Sequence, residues 1–173
     1  MSGLTAFINA RLMDPASKLD AKGGLIIKNG KIREIIKGLD VPQVPYGAEI
    51  IDCEGHVLAP GLIDARAYLG EPGQEQKETM ATASQAAAAG GITTIAAMAS
   101  TDPCVDEVAL VEFVARRARD TAIVNVVPTA CVTRGRQGKE ITEMGMLAEA
   151  GAVAFSDGHR AIGSPQVMRR ALA

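Results

Sequence analysis

The stretch EQKETMATASQAAAAGGITTIAAM, residues 75–98, decides the fold class because it joins a helical pattern to an apolar strand. Residues 75–89 are rich in alanine and favour a helix, and Gly90-Gly91 supplies a stop signal directly after them. Residues 92–98 form an apolar run, which is typical of a strand buried on both faces of a parallel sheet. The stretch therefore predicts a helix followed by a strand of an α/β layer.

The same alternation continues on both sides of this stretch. Further predicted strands are 57–63, 123–132 and 152–155, and further predicted helices are 106–119, 142–150 with Thr142 as N-cap, and a last helix from Ser164-Pro165. Strands and helices in series predict either a small open sheet or half of an eight-unit barrel. We favour the half barrel, because residues 168–173 read as helix with no stop signal.

The first fifty-odd residues follow a different pattern, that of short strands. Residues 4–13 predict a strand, and the β-rich runs 24–28 and 31–36 are separated by Asn29-Gly30. Asn-Gly between two such runs is a strong hairpin signal, because both turn residues must adopt positive φ. Residues 38–48 contain two prolines and two glycines and predict a connecting loop. We therefore predict a small β domain over 1–55 and an α/β domain over 56–173.

Composition excludes several classes of function. The formal net charge of −2 gives no case for binding nucleic acid, and no apolar run reaches the roughly 18 residues that a membrane span needs. The three cysteines at 53, 104 and 131 are far apart and include no C-x-x-C pair, which argues against disulfides and a zinc knuckle. The N-terminus lacks the apolar core of a signal peptide. A reducing, cytoplasmic location fits best.

Four segments, in this order and spacing, resemble the dihydroorotase branch of the amidohydrolase superfamily. They are IDCEGHVLAPGLID at 51–64, EPGQEQKETMATASQAAAAGGITTIAAM at 71–98, GKEITEMGMLAEAGAVAFSDG at 138–158 and MRRAL at 168–172. The resemblance covers nearly all of this chain but only the first two-fifths or so of a typical family member. It implies the N-terminal half of a (β/α)8 TIM barrel, preceded by a small β domain.

The resemblance also implies one or two Zn²⁺ ions at the barrel mouth, held partly by a His-x-His pair after the first strand. This chain has Arg66 and Tyr68 at those two positions. Arginine has no acceptor lone pair and cannot ligate a metal ion, and its charge would repel a dication 4 Å away by about 8 kcal/mol at an effective dielectric constant of 20. A phenol with a pKa of about 10 is a poor substitute for imidazole.

Three more positions depart from the family pattern. Gly70 stands where the family carries an arginine that holds the substrate carboxylate, and Ser100 replaces an asparagine. Asp157 lies in a run where the family often has an acidic metal ligand, and it is either a remnant of that ligand or a residue that caps a loop or forms an ion pair. We also hypothesise that Arg66 forms a salt bridge with Asp64 or Asp157 in the former metal space.

Other residues near the predicted mouth have simpler interpretations. His159 has no partner at ligand spacing and is expected to be solvated. Cys104 and Cys131 have no neighbouring histidine in sequence and are expected to pack as inert thiols. Three basic residues after the third strand, Arg134, Arg136 and Lys139, are expected to form a solvated loop.

The resemblance and its departures together predict a dihydroorotase-like protein of pyrimidine biosynthesis with a degenerate site. Some non-catalytic relatives of this kind scaffold aspartate carbamoyltransferase, so that enzyme, or self-association, is the partner that the resemblance implies. No zinc is expected, and neither nucleic acid nor a membrane is an expected partner. The alternative is an active zinc amidohydrolase that hydrolyses a cyclic amide through a rebuilt site.

Overall fold

A computed structural model describes residues 3–38 and 44–173. The chain consists of two compact units, Met1–Pro60 and Gly61–Ala173. The sequence places the boundary between residues 55 and 56. In the structure, Val57–Leu58 pairs with the first strand of the N-terminal unit, so the division falls after Pro60. Among the described residues, no helix combines the length and the apolar character needed to cross a membrane.

The first unit is a five-stranded sheet. Its strands are β1 Leu4–Asp14, β2 Leu19–Lys28, β3 Lys31–Lys37, β4 Glu49–Asp52 and β5 Val57–Leu58. The order is β3-β2-β1-β4, with β5 also pairing with β1. The pairs β1–β2 and β2–β3 are antiparallel, whereas β4 and β5 run parallel to β1. Ala6, Leu12 and Ile26 are buried, which gives the sheet one apolar face.

The turn between β2 and β3 confirms the predicted hairpin. Asn29 and Gly30 have φ values of 51° and 73°, and Lys28 pairs directly with Lys31 across the turn. The predicted connecting loop at 38–48 is described only in part, because residues 39–43 lie outside the described residues.

The second unit alternates parallel strands with helices. Its elements are β6 Leu62–Ala67, α1 Met80–Ala89, β7 Ile92–Ala97, α2 Val108–Thr121, β8 Asn125–Pro128, α3 Met144–Glu149 and α4 Pro165–Ala171. The sheet order β6-β7-β8 follows the chain, and both pairings are parallel. Ile95 and Ala97 of β7 belong to one core with Val111 and Val114 of α2 and Leu147 of α3. The carboxyl ends of the parallel strands therefore meet at one edge.

Two helix termini follow rules that can be read in the sequence. Helix α1 begins at Met80 rather than at residue 75, because Thr79 and Thr82 form a capping box in which each side chain accepts a hydrogen bond from the other's backbone N–H. The predicted start of α4 is confirmed, since the Ser164 hydroxyl accepts from the Val167 N–H and Pro165 is the first helical residue.

The predicted strand at 152–155 is not a regular strand. The segment runs beside residues 128–130 and is bonded to them, for example through Val153 N–H to Pro128 O at 3.0 Å, but it forms only an isolated parallel bridge between Ala130 and Phe155. The prediction of Thr142 as an N-cap is wrong. Its hydroxyl donates to the Cys131 carbonyl at 2.8 Å, so it joins the loop before α3 to the segment that follows β8.

A buried carboxylate fixes the loop between β6 and α1. Glu71 has a side chain 2% exposed, and its Oε2 accepts from the Arg117 Nε at 2.6 Å. Its Oε1 accepts from the Met80 N–H at 3.1 Å, which is one of the N–H groups of helix α1 that lacks a helical acceptor. One side chain therefore joins the loop after β6 to α1 and to α2.

We predict unequal costs for breaking this contact from its two sides. Arg117→Gln leaves a buried carboxylate without its cation and should lower the free energy of unfolding more than Glu71→Gln does. Glu71→Gln keeps an acceptor for the Met80 N–H and leaves only a half-exposed guanidinium, so it should cost about 1 kcal/mol. Urea unfolding of the full-length protein measures both. Arg116→Gln, an exposed arginine one residue away on α2, is the control, and equal costs for the two variants would contradict the prediction.

Candidate functional site

The candidate site lies at the carboxyl-terminal edge of the β6-β7-β8 sheet, called here the mouth. Arg66 stands at the end of β6, Ser100 follows β7, and residues 156–159 follow the extended segment beside residues 128–130. Arg66, Ser156 and Gly158 line a cavity of about 170 Å³. Parallel strands thus bring together residues that are up to 93 positions apart in the sequence.

Arg66 is oriented by a histidine and not by a carboxylate. Its Nη2 lies 3.2 Å from Nδ1 of His159. Arginine can only donate, so Nδ1 of His159 is the acceptor in this contact. The hypothesised salt bridges are therefore wrong. Asp64 accepts from the backbone N–H of Arg66 at 2.9 Å, and Asp157 is occupied elsewhere.

Asp157 is buried, 4% exposed, and faces inward. Its Oδ1 accepts from the backbone N–H groups of Val132 and Thr133 at 2.9 and 3.0 Å, and its Oδ2 accepts from the Thr133 hydroxyl. Asp157 also lines a different cavity, which it shares with Val132 and Arg160, and not the one that Arg66 lines. Of the two interpretations of Asp157, the geometry favours the loop cap over the metal-ligand remnant.

The remaining predicted site positions are not gathered around Arg66. Tyr68 is 37% exposed. It is not among the described residues that line the Arg66 cavity. Gly70 is buried with φ of +72°, and a Cβ placed on it would lie 2.2 Å from the carbonyl oxygen of Glu78. This backbone therefore has no room for any side chain at position 70. Ser100 lies near Gly158, since a Cβ placed on Gly158 would be 3.5 Å from the Cβ of Ser100.

The donor set at the mouth does not fit a zinc ion. Arg66 cannot ligate a cation, and Nδ1 of His159 is already an acceptor for Arg66. Both oxygens of Asp157 accept hydrogen bonds from Val132 and Thr133, and Asp157 does not line the Arg66 cavity. Over residues 3–38 and 44–173, no three His, Cys, Asp or Glu side chains come together in a way that could hold a metal ion.

Two cysteines that are distant in sequence are neighbours in the fold. The thiols of Cys104 and Cys131 interact directly, and the Cys131 sulfur lies 3.6 Å from the Ala99 carbonyl oxygen. Burial raises the pKa of both thiols, and for Cys131 the neighbouring Cys104 raises the pKa further. Both groups are therefore held as thiols, in keeping with the expected inert packing.

Sequence reasoning did not single out two residues that shape the mouth. Thr133 accepts from the Gly138 N–H at 2.9 Å while its own hydroxyl donates to Asp157, and Glu71 joins the first loop to two helices. An isolated Glu in a Gly-Pro loop before a helix was the available signal for Glu71. We find no local signal for Thr133, because its partner lies 24 residues later.

The contacts of Asp157 predict a structural cost on its removal. Asp157→Ala leaves the N–H groups of Val132 and Thr133 without an acceptor. The free energy of unfolding should fall by about 3 kcal/mol, because these buried donors are left unpaired. Asp157→Asn keeps an acceptor for those N–H groups and should cost about 1 kcal/mol. Thermal unfolding of the full-length variants, with and without added Zn²⁺, measures this. A zinc-dependent gain of stability in the wild type that both variants lack would show instead that Asp157 is a metal ligand.

The raised thiol pKa values predict slow alkylation. At pH 8 a thiol with a raised pKa has a smaller thiolate fraction than free cysteine, whose pKa is about 8.5. Iodoacetamide should therefore modify Cys104 and Cys131 in the folded protein more slowly than free cysteine, as followed by mass spectrometry of their peptides. The same protein unfolded in urea is the control and should react at the free rate. A folded Cys104 that reacts faster than free cysteine would identify a nucleophile.

Comparison with known proteins places this geometry in a family. Residues 55–173 match the family described as Dihydro-orotase-like. A protein named dihydroorotase from Pelobacter propionicus is 44% identical over 164 residues, which are 95% of this chain and 38% of that protein. A dihydroorotase from Wolbachia of Brugia malayi is 44% identical over 168 residues, 96% of this chain and 38% of that protein. The chain thus spans about two-fifths of the length of these curated relatives.

Solved structures support the same fold. An L-hydantoinase (dihydropyrimidinase) from Arthrobacter aurescens superposes with a TM-score of 0.78 at 21% identity, covering 97% of this chain and 37% of that one. A D-hydantoinase superposes with a TM-score of 0.62 at 28% identity, covering 84% of this chain and 29% of that one. The parallel strand–helix units are accordingly the N-terminal part of an amidohydrolase TIM barrel, preceded by the small β unit. The chain belongs to the dihydroorotase-like family of the amidohydrolase superfamily.

Proposed function

We propose that the protein to which this chain belongs does not hydrolyse dihydroorotate and acts as a structural partner of aspartate carbamoyltransferase in pyrimidine biosynthesis. The observation that carries the proposal is the contact between Arg66 and His159 at 3.2 Å, where the family resemblance expects a metal ligand. A permanent cation occupies that place, and the nearest imidazole is used to orient it. Zinc chemistry at the mouth would have to displace both groups.

The substrate side of the mouth supports the same proposal. Position 70, where the family resemblance expects an arginine for the substrate carboxylate, is a glycine with its Cβ direction blocked by the Glu78 carbonyl oxygen. Loss of a bidentate guanidinium contact removes one of the stronger ways of holding a carboxylate. Metal binding and substrate binding thus depart from the family pattern at separate residues.

The contacts that hold the helices and strands around the mouth are present, which supports a function that depends on the shape of the protein. The Thr79–Thr82 capping box, the Glu71–Arg117 pair and the core around Ile95 are all in place. A protein whose function depends on its surface must retain these structural contacts, whereas residues that serve only catalysis can change. Fold-level likeness alone does not give the partner, so the partner rests on the family resemblance.

The second candidate is an active dihydroorotase with a rebuilt site. The identities of 44% to proteins named dihydroorotase are the observation that favours it. An active enzyme would need a metal ligand other than Arg66, which cannot ligate a cation, and Asp157 would have to exchange hydrogen bonds to Val132 and Thr133 for the metal. Zinc content separates the two candidates directly.

The first experiment measures zinc and turnover on the full-length protein. We expect far less than one zinc ion per chain by atomic absorption, and no dihydroorotate hydrolysis or carbamoyl aspartate cyclisation above background. The double variant Arg66→His/Tyr68→His is the matched comparison, and restoring both imidazoles should raise the zinc content. Stoichiometric zinc together with turnover in the wild type would refute the proposal and favour the rebuilt site.

The second experiment tests the partner. The full-length protein should co-elute with aspartate carbamoyltransferase from the same organism in size-exclusion chromatography with light scattering. Self-association of the full-length protein is the alternative that the same experiment measures. A full-length protein that remains a monomer and does not bind the enzyme at micromolar concentrations would contradict the scaffold role.

A further inference from the structure

The thiols of Cys104 and Cys131 lie against each other although they belong to different segments of the chain. Cys104 is in the loop after β7, and Cys131 is in the segment after β8. The backbone holds these segments together, because the Cys131 N–H donates to the carbonyl oxygen of Val105, the residue after Cys104, at 2.7 Å. The contact between the thiols is therefore fixed by the main chain on both sides.

The carbonyl oxygen of Ala99 orients the same two segments. It accepts from the Val105 N–H at 3.0 Å and lies 3.6 Å from the Cys131 sulfur. Neighbouring hydrogen-bonded segments are about 5 Å apart, which is within the roughly 7 Å between Cα atoms that a disulfide can bridge. A disulfide between Cys104 and Cys131 therefore needs no large change of the backbone.

The two thiols are not equivalent. Cys131 is 0% exposed, whereas Cys104 is only half-buried, so a small molecule from solvent meets Cys104 first. Burial and the charge of Asp106 raise the pKa of Cys104, and the Cys131 S–H and the guanidinium of Arg136 act in the opposite direction. Burial, the charge of Cys104 and this hydrogen bond all raise the pKa of Cys131. Within the pair, Cys104 is thus the thiol that ionises, and Cys131 keeps its proton.

We propose that Cys104 and Cys131 form a reversible disulfide when the protein reacts with a peroxide, with Cys104 as the attacking thiol and Cys131 as the resolving thiol. The Cys104 sulfur attacks one peroxide oxygen, the O–O bond breaks, and the second oxygen leaves as water with the thiol proton. Cys104 is then a sulfenic acid. The Cys131 sulfur attacks the Cys104 sulfur, the S–O bond breaks, and the hydroxyl leaves as water with the Cys131 proton. Two thiols are oxidised to one disulfide, and one peroxide is reduced to two waters.

Slow alkylation of these thiols and disulfide formation are compatible. Burial slows the first step, which needs a molecule from solvent, whereas the second step joins two sulfur atoms that are already in contact. The disulfide would tie the loop that carries Ser100 to the segment that carries Thr133, and closing this loop should stabilise the folded state. The inference goes beyond the proposed function, because it needs neither a metal ion nor a partner protein. Its test contains no turnover or partner measurement, so either proposal can fail without the other.

The experiment treats the reduced, folded full-length protein with excess hydrogen peroxide, blocks the remaining thiols with iodoacetamide and maps the peptides by mass spectrometry. The expected product is a pair of peptides linked through Cys104 and Cys131, about 2 Da lighter than the two thiol peptides because two hydrogens leave. Dithiothreitol should remove the link. Cys53, which lies in the other unit of the chain, is the internal control and should be linked to neither residue. A folded protein in which Cys104 gains oxygen without a link to Cys131, or in which neither residue reacts, would overturn the proposal.

Two matched variants assign the role of each thiol. In Cys131→Ser the sulfenic acid on Cys104 has no resolving thiol, so its labelling by dimedone should rise at least about tenfold above that of the wild type. In Cys104→Ser the buried Cys131 should stay unoxidised under the same conditions. Equal dimedone labelling of Cys104 in the wild type and in Cys131→Ser would overturn the disulfide, and labelling of Cys131 in Cys104→Ser would overturn the assigned roles. The peptide map of the wild type keeps the test decisive if a variant does not fold.

Discussion

The buried carboxylate of Glu71 is the contact on which the barrel unit depends. It lies in the loop after the first barrel strand, accepts from the first turn of α1 and pairs with Arg117 of α2. A buried charge is tolerated only when it is paired and hydrogen-bonded, so the loop, α1 and α2 must be placed together. The conformation of this loop therefore depends on contacts with the two helices.

The mouth itself is organised by backbone groups more than by side-chain pairs. Asp157 is held by Val132 and Thr133. Arg136 donates to the Asp157 carbonyl and Arg160 donates to the Arg136 carbonyl, so each guanidinium is oriented by a backbone oxygen of the other's loop. In such an arrangement a charge can be changed without disturbing the strands, since the strands are joined by their parallel ladders. The chemistry of the edge and the stability of the sheet are therefore largely separate properties of this fold.

Much of the fold could be predicted from local signals. The Asn29-Gly30 hairpin, the end of α1 at Gly90 and the start of α4 at Ser164-Pro165 each rest on residues next to one another in the chain, and each is confirmed. The errors arise where distant residues compete with local ones. Thr142 looks like a helix cap but bonds to the carbonyl of Cys131, and residues 152–155 form only an isolated bridge beside 128–130.

The site was less predictable for the same reason. The positions of Arg66, Gly70 and Asp157 could be marked by resemblance, yet their partners could not. Opposite charge suggested Asp64 or Asp157 for Arg66, whereas the strand ends bring His159 to it from 93 residues away. Likewise Cys104 and Cys131 form a pair only because the loop after β7 folds against the end of β8.

The crowding at Gly70 limits how the loop after β6 can change. A Cβ at this position would lie 2.2 Å from the Glu78 carbonyl oxygen and 2.9 Å from that of Gln74, and the backbone φ of +72° disfavours any side chain. An arginine at this position would therefore need the whole loop to move first, so a substitution here would change the path of the backbone and not only the chemistry of the mouth.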